Sequence, residues 1–436
     1  MTELTELLQS RFGIELPSTF VFNDPTIDAM SRHISGILVP AMDCAARDLA
    51  AFVEDQSAMA YAEQRLLAIH LQDPNSKNFH NWFRVKFPIH IDLQSNLSCV
   101  LESLPVMRTR FVNNEAIEDV QVVVRKLTCD DIQARNDILF APFNLATGPL
   151  CRFGIDNEKN ILIGCVHHSI FDGRSMKIFL DAISIGKVKA STKEYTVRKF
   201  AAYEALAEVQ NEYRSSAIAL KEILGDTPPR LEVDFSHGPM SHAFKLTLDC
   251  EIVQALRAFC RKEQVSMFIV ALQLLHHTMR AYSRAAYAIG ISHDTRPGKF
   301  RDTVGMFVNW ALVPFRGGKK GGTETPRQLQ IRWMRDIFPH AKTPSNLLTS
   351  MGYGCNINLA FDVGIFGSGG SMWQFENLDY VGDHIDAKRD LSVFWLDGIE
   401  NDGSFEVLFE SGLGKWPGLE DVFLQAIDLL LDKGIH

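Results

Sequence analysis

The chain has 436 residues, 46% of them hydrophobic and 22% charged, with 44 Lys and Arg against 53 Asp and Glu and a formal net charge of −9. That length supplies a large core and room for two or three domains. The acidic balance excludes a general nucleic-acid binder, which needs a basic stripe for phosphates, and the longest apolar helical run, Met267 to Leu275, is too short to cross a bilayer.

The N-terminus shows no cationic and apolar signal peptide, so a cytoplasmic location is expected, with neither membrane nor nucleic acid as partner. Thr2 to Phe12 reads as the end of an amphipathic helix, with Leu4, Leu7 and Leu8 on one face and Gly13 placed to stop it. Leu16-Pro17-Ser18-Thr19 is an extended or turn segment. Asp24-Pro25 starts a second helix, because Asp24 can accept from orphan N–H groups and Pro25 suits the first helical position. Its apolar stripe is Ile27, Met30, Ile34 and Leu38. Two helices of this length cannot bury their faces alone, so residues 1–38 read as part of a small bundle. Residues 39–57 read as a linker.

From Ala58 to His436 there is no repeat and no low-complexity tract, and β-type segments alternate with helical ones. Ile161-Leu162-Ile163-Gly164-Cys165-Val166 is a continuous apolar run of the kind a buried strand requires. Ser175 to Ile183 predicts a helix with Ser175 as a candidate N-cap. Leu246 to Leu248 predicts a strand, Ile252 to Cys260 and Met267 to Tyr282 predict helices, and Gly305 to Phe315 is strand-like. The alternation predicts an α/β protein of two lobes, 58–230 and 231–436, with Gly225, Pro228, Pro229, Gly238 and Pro239 marking the boundary. The eight cysteines, Cys44, Cys99, Cys129, Cys151, Cys165, Cys250, Cys260 and Cys355, show no CxxC spacing and read as buried reduced thiols, without a zinc site or disulfide framework.

The stretch that carries chemistry is His167-His168-Ser169-Ile170-Phe171-Asp172-Gly173, between the buried strand and the next helix. A strand end is a rigid platform for a histidine. Asp172-Gly173 is turn chemistry, with Gly173 free to take a positive φ. A neutral imidazole can take the proton that an amine or hydroxyl loses as it attacks a carbonyl. The oxyanion formed needs a preorganised donor, for which the Gly173 N–H is a candidate. A lone histidine is more often a packing residue, and His276-His277, inside an apolar helix and without an Asp-Gly nearby, fits that plainer role.

The His-His-x-x-x-Asp-Gly run resembles that of condensation domains, within the chloramphenicol acetyltransferase-like superfamily. Tyr61-Ala62-Glu63-Gln64-Arg65-Leu66 resembles the family's opening motif. Leu104-Pro105-Val106-Met107-Arg108-Thr109-Arg110-Phe111 resembles its next one, with Met107 replacing Leu. Pro142 to Leu150, Gly290 to Arg296, Val304 to Asn309, and His340 with Pro344 resemble later ones, so the likeness covers about residues 57–436. In the N-terminal bundle, Leu8 to Pro17 and Phe22 to Ile27 resemble the C-terminal half of an acyl carrier protein. The family's phosphopantetheine-bearing serine lies upstream of this point, and Ser10 and Ser18 do not match it, so residues 1–38 are expected to be a partial carrier domain without a cofactor arm.

The resemblance implies two chloramphenicol acetyltransferase-like lobes forming a V, with a short helical carrier-protein remnant at the N-terminus. It implies that His168 is catalytic, as general base or by positioning the nucleophile, and that His167 is structural. Asp172 would point away from the substrate and hold Arg296 in a bidentate pair, and Arg108 and Asn309 would be structural. Tyr61 and Gln64 would be core or lobe-contact residues. The implied reaction moves an acyl chain, expected to be a polyketide, from a carrier-protein phosphopantetheine thioester to an amine or hydroxyl, forming an amide or ester and releasing a finished chain. No bound metal or redox cofactor is implied; the phosphopantetheine arrives as part of the substrate. Partners would be an acyl carrier protein bearing the donor and a small-molecule or carrier-bound acceptor. An epimerisation domain fits less well, because Ile291-Ser292-His293-Asp294-Thr295-Arg296 lacks that relative's acidic, glycine-rich motif. A heterocyclisation domain has Asp in place of the first histidine, and the plant-type acyltransferase motif Asp-Phe-Gly-Trp-Gly is absent. The rival from another class is a catalytically silent module that recruits partner proteins.

Overall fold

The structure, a computed structural model, describes residues 57–433 apart from 129–130, 228–231, 234–240, 284, 317–323, 363–372, 376–388 and 398–402. The carrier-protein remnant expected at 1–38 and nearly all of the linker expected at 39–57 lie outside the described residues. So do Pro228, Pro229, Gly238 and Pro239 of the expected boundary, and Cys44 and Cys129.

The first half runs α1 (Tyr61–Gln72), β1 (His80–Lys86), α2 (Leu93–Ser103), the small hairpin β2 (Arg110–Val112) and β3 (Glu115–Ile117), β4 (Val124–Leu127), α3 (Ile132–Phe140), β5 (Cys151–Asp156), β6 (Ile161–His167), α4 (Gly173–Ile185), α5 (Ala190–Glu194), α6 (Val197–Glu204) and α7 (Ala207–Leu224). Strand β6 lies between β1 and β5, antiparallel to both, and all seven of its residues are buried, which explains the unbroken apolar run. Gly164 is required at its middle: a Cβ there would come 2.5 Å from the Phe83 ring and 2.9 Å from Phe153.

The second half runs β7 (His242–Leu248), α8 (Cys250–Glu263), α9 (Met267–Met279), β8 (Tyr287–Asp294), β9 (Val308–Phe315), α10 (Pro326–Arg332), α11 (Ser345–Ser350), β10 (Ile357–Phe361), β11 (Gln374–Phe375), β12 (Leu391–Asp397), β13 (Phe405–Ser411) and α12 (Leu419–Lys433). Six strands form a mixed sheet in the order β7-β13-β12-β10-β8-β9. Its core includes Ile289, Val313, Leu359, Val393 and Trp395 and the apolar helix α9. Strand β11 instead joins the first sheet, whose order is β11-β1-β6-β5-β4, through Val85↔Phe375 and Lys86↔Gln374.

The segment between β8 and β9 also crosses over. Phe300, Val304 and Phe307 pack in the core of the first half, and helix α7 packs its Ala217, Leu220 and Leu224 against Ala288, Trp310 and Leu312. Arg65 of α1 donates to the Val308 carbonyl and to Ser345 Oγ.

Four sequence expectations are corrected. Helix α4 starts at Gly173, and its N-cap is Asp172, whose carboxylate accepts from the Ser175 N–H at 2.9 Å. Ser175 instead spends its hydroxyl on the Gly305 carbonyl at 2.8 Å and the Gly305 N–H at 2.9 Å. The strand expected from Gly305 therefore begins at Val308, because the N–H groups of Gly305 and Phe307 go to Ser175 and Asp172 rather than to a neighbouring strand. Helix α9 stops at Met279, three residues before Tyr282. Among the described cysteines, Cys151, Cys165 and Cys260 are buried free thiols, whereas Cys99 is exposed and Cys250 and Cys355 are intermediate.

Candidate active site

Strand β6 delivers both histidines to a short 3-10 turn, His168–Ile170. Their backbones are fixed: the His167 N–H donates to Leu150 and the His168 N–H to Phe79. The two side chains then diverge. His167 is 0% exposed, and its ring packs edge-on against His70, His80, Phe79 and Phe143. Its Nδ1 accepts from the Ser169 N–H and meets Ser169 Oγ at 2.8 Å. Burial, and then the neighbouring histidines, hold its pKa well below the usual range, so it is a neutral residue of the interior.

His168 is half-buried. Its Nδ1 lies 2.6 Å from the Phe171 carbonyl, which can only accept, so Nδ1 carries the proton. That carbonyl is held in turn by Asn81 Nδ2 at 3.0 Å. The proton on Nδ1 leaves Nε2 with its lone pair. Burial lowers the His168 pKa, the Phe171 bond and the Asp172 charge oppose it, and Arg65 and Arg389 lower it further. The imidazole is therefore neutral at neutral pH.

Asp172 turns away from His168 into the interior, where it is 1% exposed. One carboxylate oxygen accepts from Ser175 N–H and from Arg296 Nη2 at 2.8 Å; the other accepts from Phe307 N–H at 3.0 Å. Burial works against its charge, but Arg296 and these hydrogen bonds outweigh burial and hold the carboxyl below its usual range. Arg296, 1% exposed, also binds Asp294 through Nη1 at 2.8 Å and the Thr303 carbonyl through Nε at 3.1 Å, with its guanidinium 4.1 Å from the centre of the Phe307 ring. The Asp172–Arg296 pair exists, but it is not bidentate: Phe307 takes the second oxygen, so one carboxylate ties α4 to two points of the crossing segment.

Gly173 does not use its freedom to take a positive φ. Extended backbone at Asp172 (φ −124, ψ −179) makes the turn, and Gly173 opens the helix. Its N–H belongs to the first turn and so has no acceptor within α4.

The remaining motif residues hold the framework. The Tyr61 N–H binds Glu204, Tyr61 Oη binds Gln210, and Gln64 binds the Met59 carbonyl. Asn309 joins β9 to the Thr343 carbonyl and the Ser345 N–H. Arg108 ends a 3-10 turn, and its carbonyl accepts from Val120. His276 is buried against Phe315 and bonded to Tyr287 Oη at 2.9 Å, and His277 meets Gln273. His340 meets Ser216 Oγ, and Pro344 caps α11.

Sequence reasoning gives no role to Arg65 or Arg389, whose charges act on His168, or to Asp362, on which the Asp172 charge acts. Burial and the Asp172 charge push the Asp362 carboxyl up to about 6. Arg65 stands inside a motif; Asp362 and Arg389 carry no local signal. Among the described residues no group of three His, Cys, Asp or Glu could hold a metal, and no helix is long and apolar enough to cross a membrane.

A family model described as the condensation domain matches residues 53–352. A linear gramicidin synthase protein of Brevibacillus parabrevis is 25% identical over 389 residues, covering 79% of this chain and 5% of that protein, so the chain spans only a small part of this relative. Among solved structures, the condensation domain from Monacolin K polyketide synthase MokA superposes with a TM-score of 0.70 at 13% identity, covering 87% of this chain and 98% of that one. The starter condensation domain of rhizomide synthetase, in complex with C8-CoA and Leu-SNAC, gives a TM-score of 0.67 at 14% identity, covering 86% and 94%. These structural likenesses concern the α/β fold.

Proposed function

The chain belongs to the condensation-domain family, and from that premise we propose that it is an acyltransferase. It moves an acyl group from the thioester of a carrier-protein phosphopantetheine arm to an amine or hydroxyl, giving an amide or ester and a free thiol. The observation that carries this reading is the free Nε2 lone pair of the half-buried, neutral His168, whose other nitrogen is fixed on Phe171.

In the proposed reaction the acceptor N–H or O–H hydrogen-bonds to His168 Nε2, and its lone pair attacks the thioester carbonyl as the proton moves to the imidazole. The oxyanion is met by backbone N–H donors at the start of α4, with Gly173 the leading one. Collapse of the intermediate expels the thiolate, which takes the proton back from His168. Asp172 and Arg296 keep the turn in place and touch neither substrate. His167 packs the strand end. For the donor we propose a polyketide chain on a carrier protein, for the step a chain release, and for the setting the cytoplasm; the carrier-like residues 8–27 support the first.

The test loads an acyl-pantetheine on a carrier domain, offers amine and alcohol acceptors, and follows product mass. His168→Ala is expected to cut transfer by about 10²- to 10⁴-fold with little loss of folding. Full turnover by that variant overturns the role. A wild-type chain that turns over nothing yet binds a partner protein overturns the enzyme reading in favour of a silent recruiting module.

A further inference from the structure

A histidine that takes a proton on one ring nitrogen needs a fixed acceptor at the other, to set the tautomer and the aim of the ring. A carboxylate can fill that place, but the carboxylate of this turn is spent. Asp172 gives one oxygen to Ser175 N–H and Arg296 and the other to Phe307 N–H. The acceptor is instead the Phe171 carbonyl, 2.6 Å from His168 Nδ1.

That carbonyl belongs to no helix and no sheet ladder. Phe171 follows the 3-10 turn with extended backbone (φ −159, ψ 131) and precedes Asp172, the cap of α4. A side chain does what a ladder would otherwise do: Asn81 of β1 donates from Nδ2 to the same oxygen at 3.0 Å. A carbonyl oxygen has two lone pairs and no proton, so it can meet His168 and Asn81 together. Strand register brings Asn81 to this place. His80 and Asn81 pair with His167 and Val166 of β6, and strand alternation sends their side chains to opposite faces. His80 packs against the His167 ring, while Asn81 reaches the end of the turn. The residue before β1 holds the start of the turn, since the Phe79 carbonyl accepts from the His168 N–H at 2.7 Å. The catalytic turn is thus clamped at both ends from one short stretch of chain.

We propose that Asn81 is a positioning residue for proton transfer: its bond to the Phe171 carbonyl keeps His168 in the Nδ1–H tautomer and aims Nε2 at the acceptor. This inference rests on the acyl-transfer reading and adds a residue to its machinery. When His168 takes the acceptor's proton, the new charge strengthens the bond from Nδ1–H to the carbonyl, and a carbonyl already held has no reorganisation to make. Released from Asn81, the peptide unit can turn away. A neutral imidazole without that acceptor can carry its proton on Nε2, where it takes up none from the substrate.

The experiment uses the full chain with isotope-labelled imidazole nitrogens and reads the tautomer by NMR, the His168 signals being those lost in His168→Ala. The same proteins are assayed for acyl transfer from a loaded carrier domain. In the wild type His168 is expected to be protonated at Nδ1. Asn81→Leu keeps much of the side chain's bulk without its donor; it is expected to show both tautomers and a kcat lower by about 10-fold, with KM changed by less than about 2-fold. Asn81→Gln retains the donor and is expected to lose less of both. If the Leu variant does not fold, Asn81→Ala is read in its place. An unchanged tautomer overturns the proposal even if kcat falls, and so does an unchanged kcat beside a shifted tautomer; both leave acyl transfer standing. A wild-type chain that transfers nothing fails the reading beneath and takes this inference with it.

Discussion

At His168 and Asp172, two residues of one short turn, the same surroundings produce opposite outcomes. His168 keeps a lone pair available because a backbone carbonyl holds its proton on the other nitrogen. Asp172 keeps its charge in the interior because a guanidinium and two N–H groups saturate it. Removing one partner of a buried ion pair leaves the other uncompensated, at a cost of about 3–5 kcal/mol. Asp172→Ala should therefore lose about that much stability in a urea melt and lose activity through the disordered turn. An unchanged melt with an unchanged turn in a crystal structure contradicts this. The Asp172–Arg296 pairing is legible through family resemblance, but its geometry is not, since the competing donor, the Phe307 N–H, is backbone and leaves no mark on the sequence. Arg389 is illegible for a related reason: its place depends on the pairing of β10 with β12, which no local pattern encodes.

Strand β6 shows what sequence patterning reveals about an element and where it stops. Its run from Ile161 to Val166 is legible because burial on both faces demands continuous apolar residues. Only the second half of β7 is legible, because Leu246 and Leu248 are its buried positions while His242 to Phe244 are half-exposed. The start of β9 escapes the sequence pattern because Ser175 and Asp172, more than a hundred residues earlier, capture the N–H groups of Gly305 and Phe307. Helix α4 begins two residues before its sequence signal because Asp172, whose residue type also suits a turn, is its cap. The packing of β6 against β1 and β5 makes Gly164 a sensitive point. Gly164→Ala places a methyl group against the rings of Phe83 and Phe153, both buried, and overpacking of this kind costs about 1–3 kcal/mol. Calorimetry should show that loss, with slower transfer because the strand end carries His168. A variant as stable and as active as the parent would mean that the two rings give way freely.

For the whole molecule, buried titratable groups set opposing limits on stability. Burial lowers His80, His277 and His293 to about 4 and His276 to about 3, and His167 lies well below its usual range. Below an unfolded pKa of about 6.5 the unfolded chain takes up protons that these sites refuse, so stability falls as pH drops from there. Burial, and next to it the Glu63 charge, pushes Glu204 up to about 8. The fold keeps a proton on Glu204 that the unfolded chain releases above its ordinary carboxylate range, so this contribution is lost as pH rises towards 8. The melting temperature should therefore peak near pH 6.5, and Glu204→Gln should flatten the decline on the alkaline side. A decline of the same slope in that variant contradicts the assignment. The two-sheet α/β arrangement is legible from the alternation of segments. The crossings between halves, β11 and residues 295–307, are not, because each is too short to carry a period of its own.

The most direct measurement of the central claim is the single-turnover rate of acyl transfer as a function of pH for the wild-type chain and His168→Ala. In the wild type, the acid limb should follow one ionisation below the ordinary histidine value of about 6.5, because burial lowers the pKa of His168; that limb should vanish in a variant left with only a small residual rate. Identical profiles for the two proteins would show that the proton of the acceptor goes somewhere other than His168.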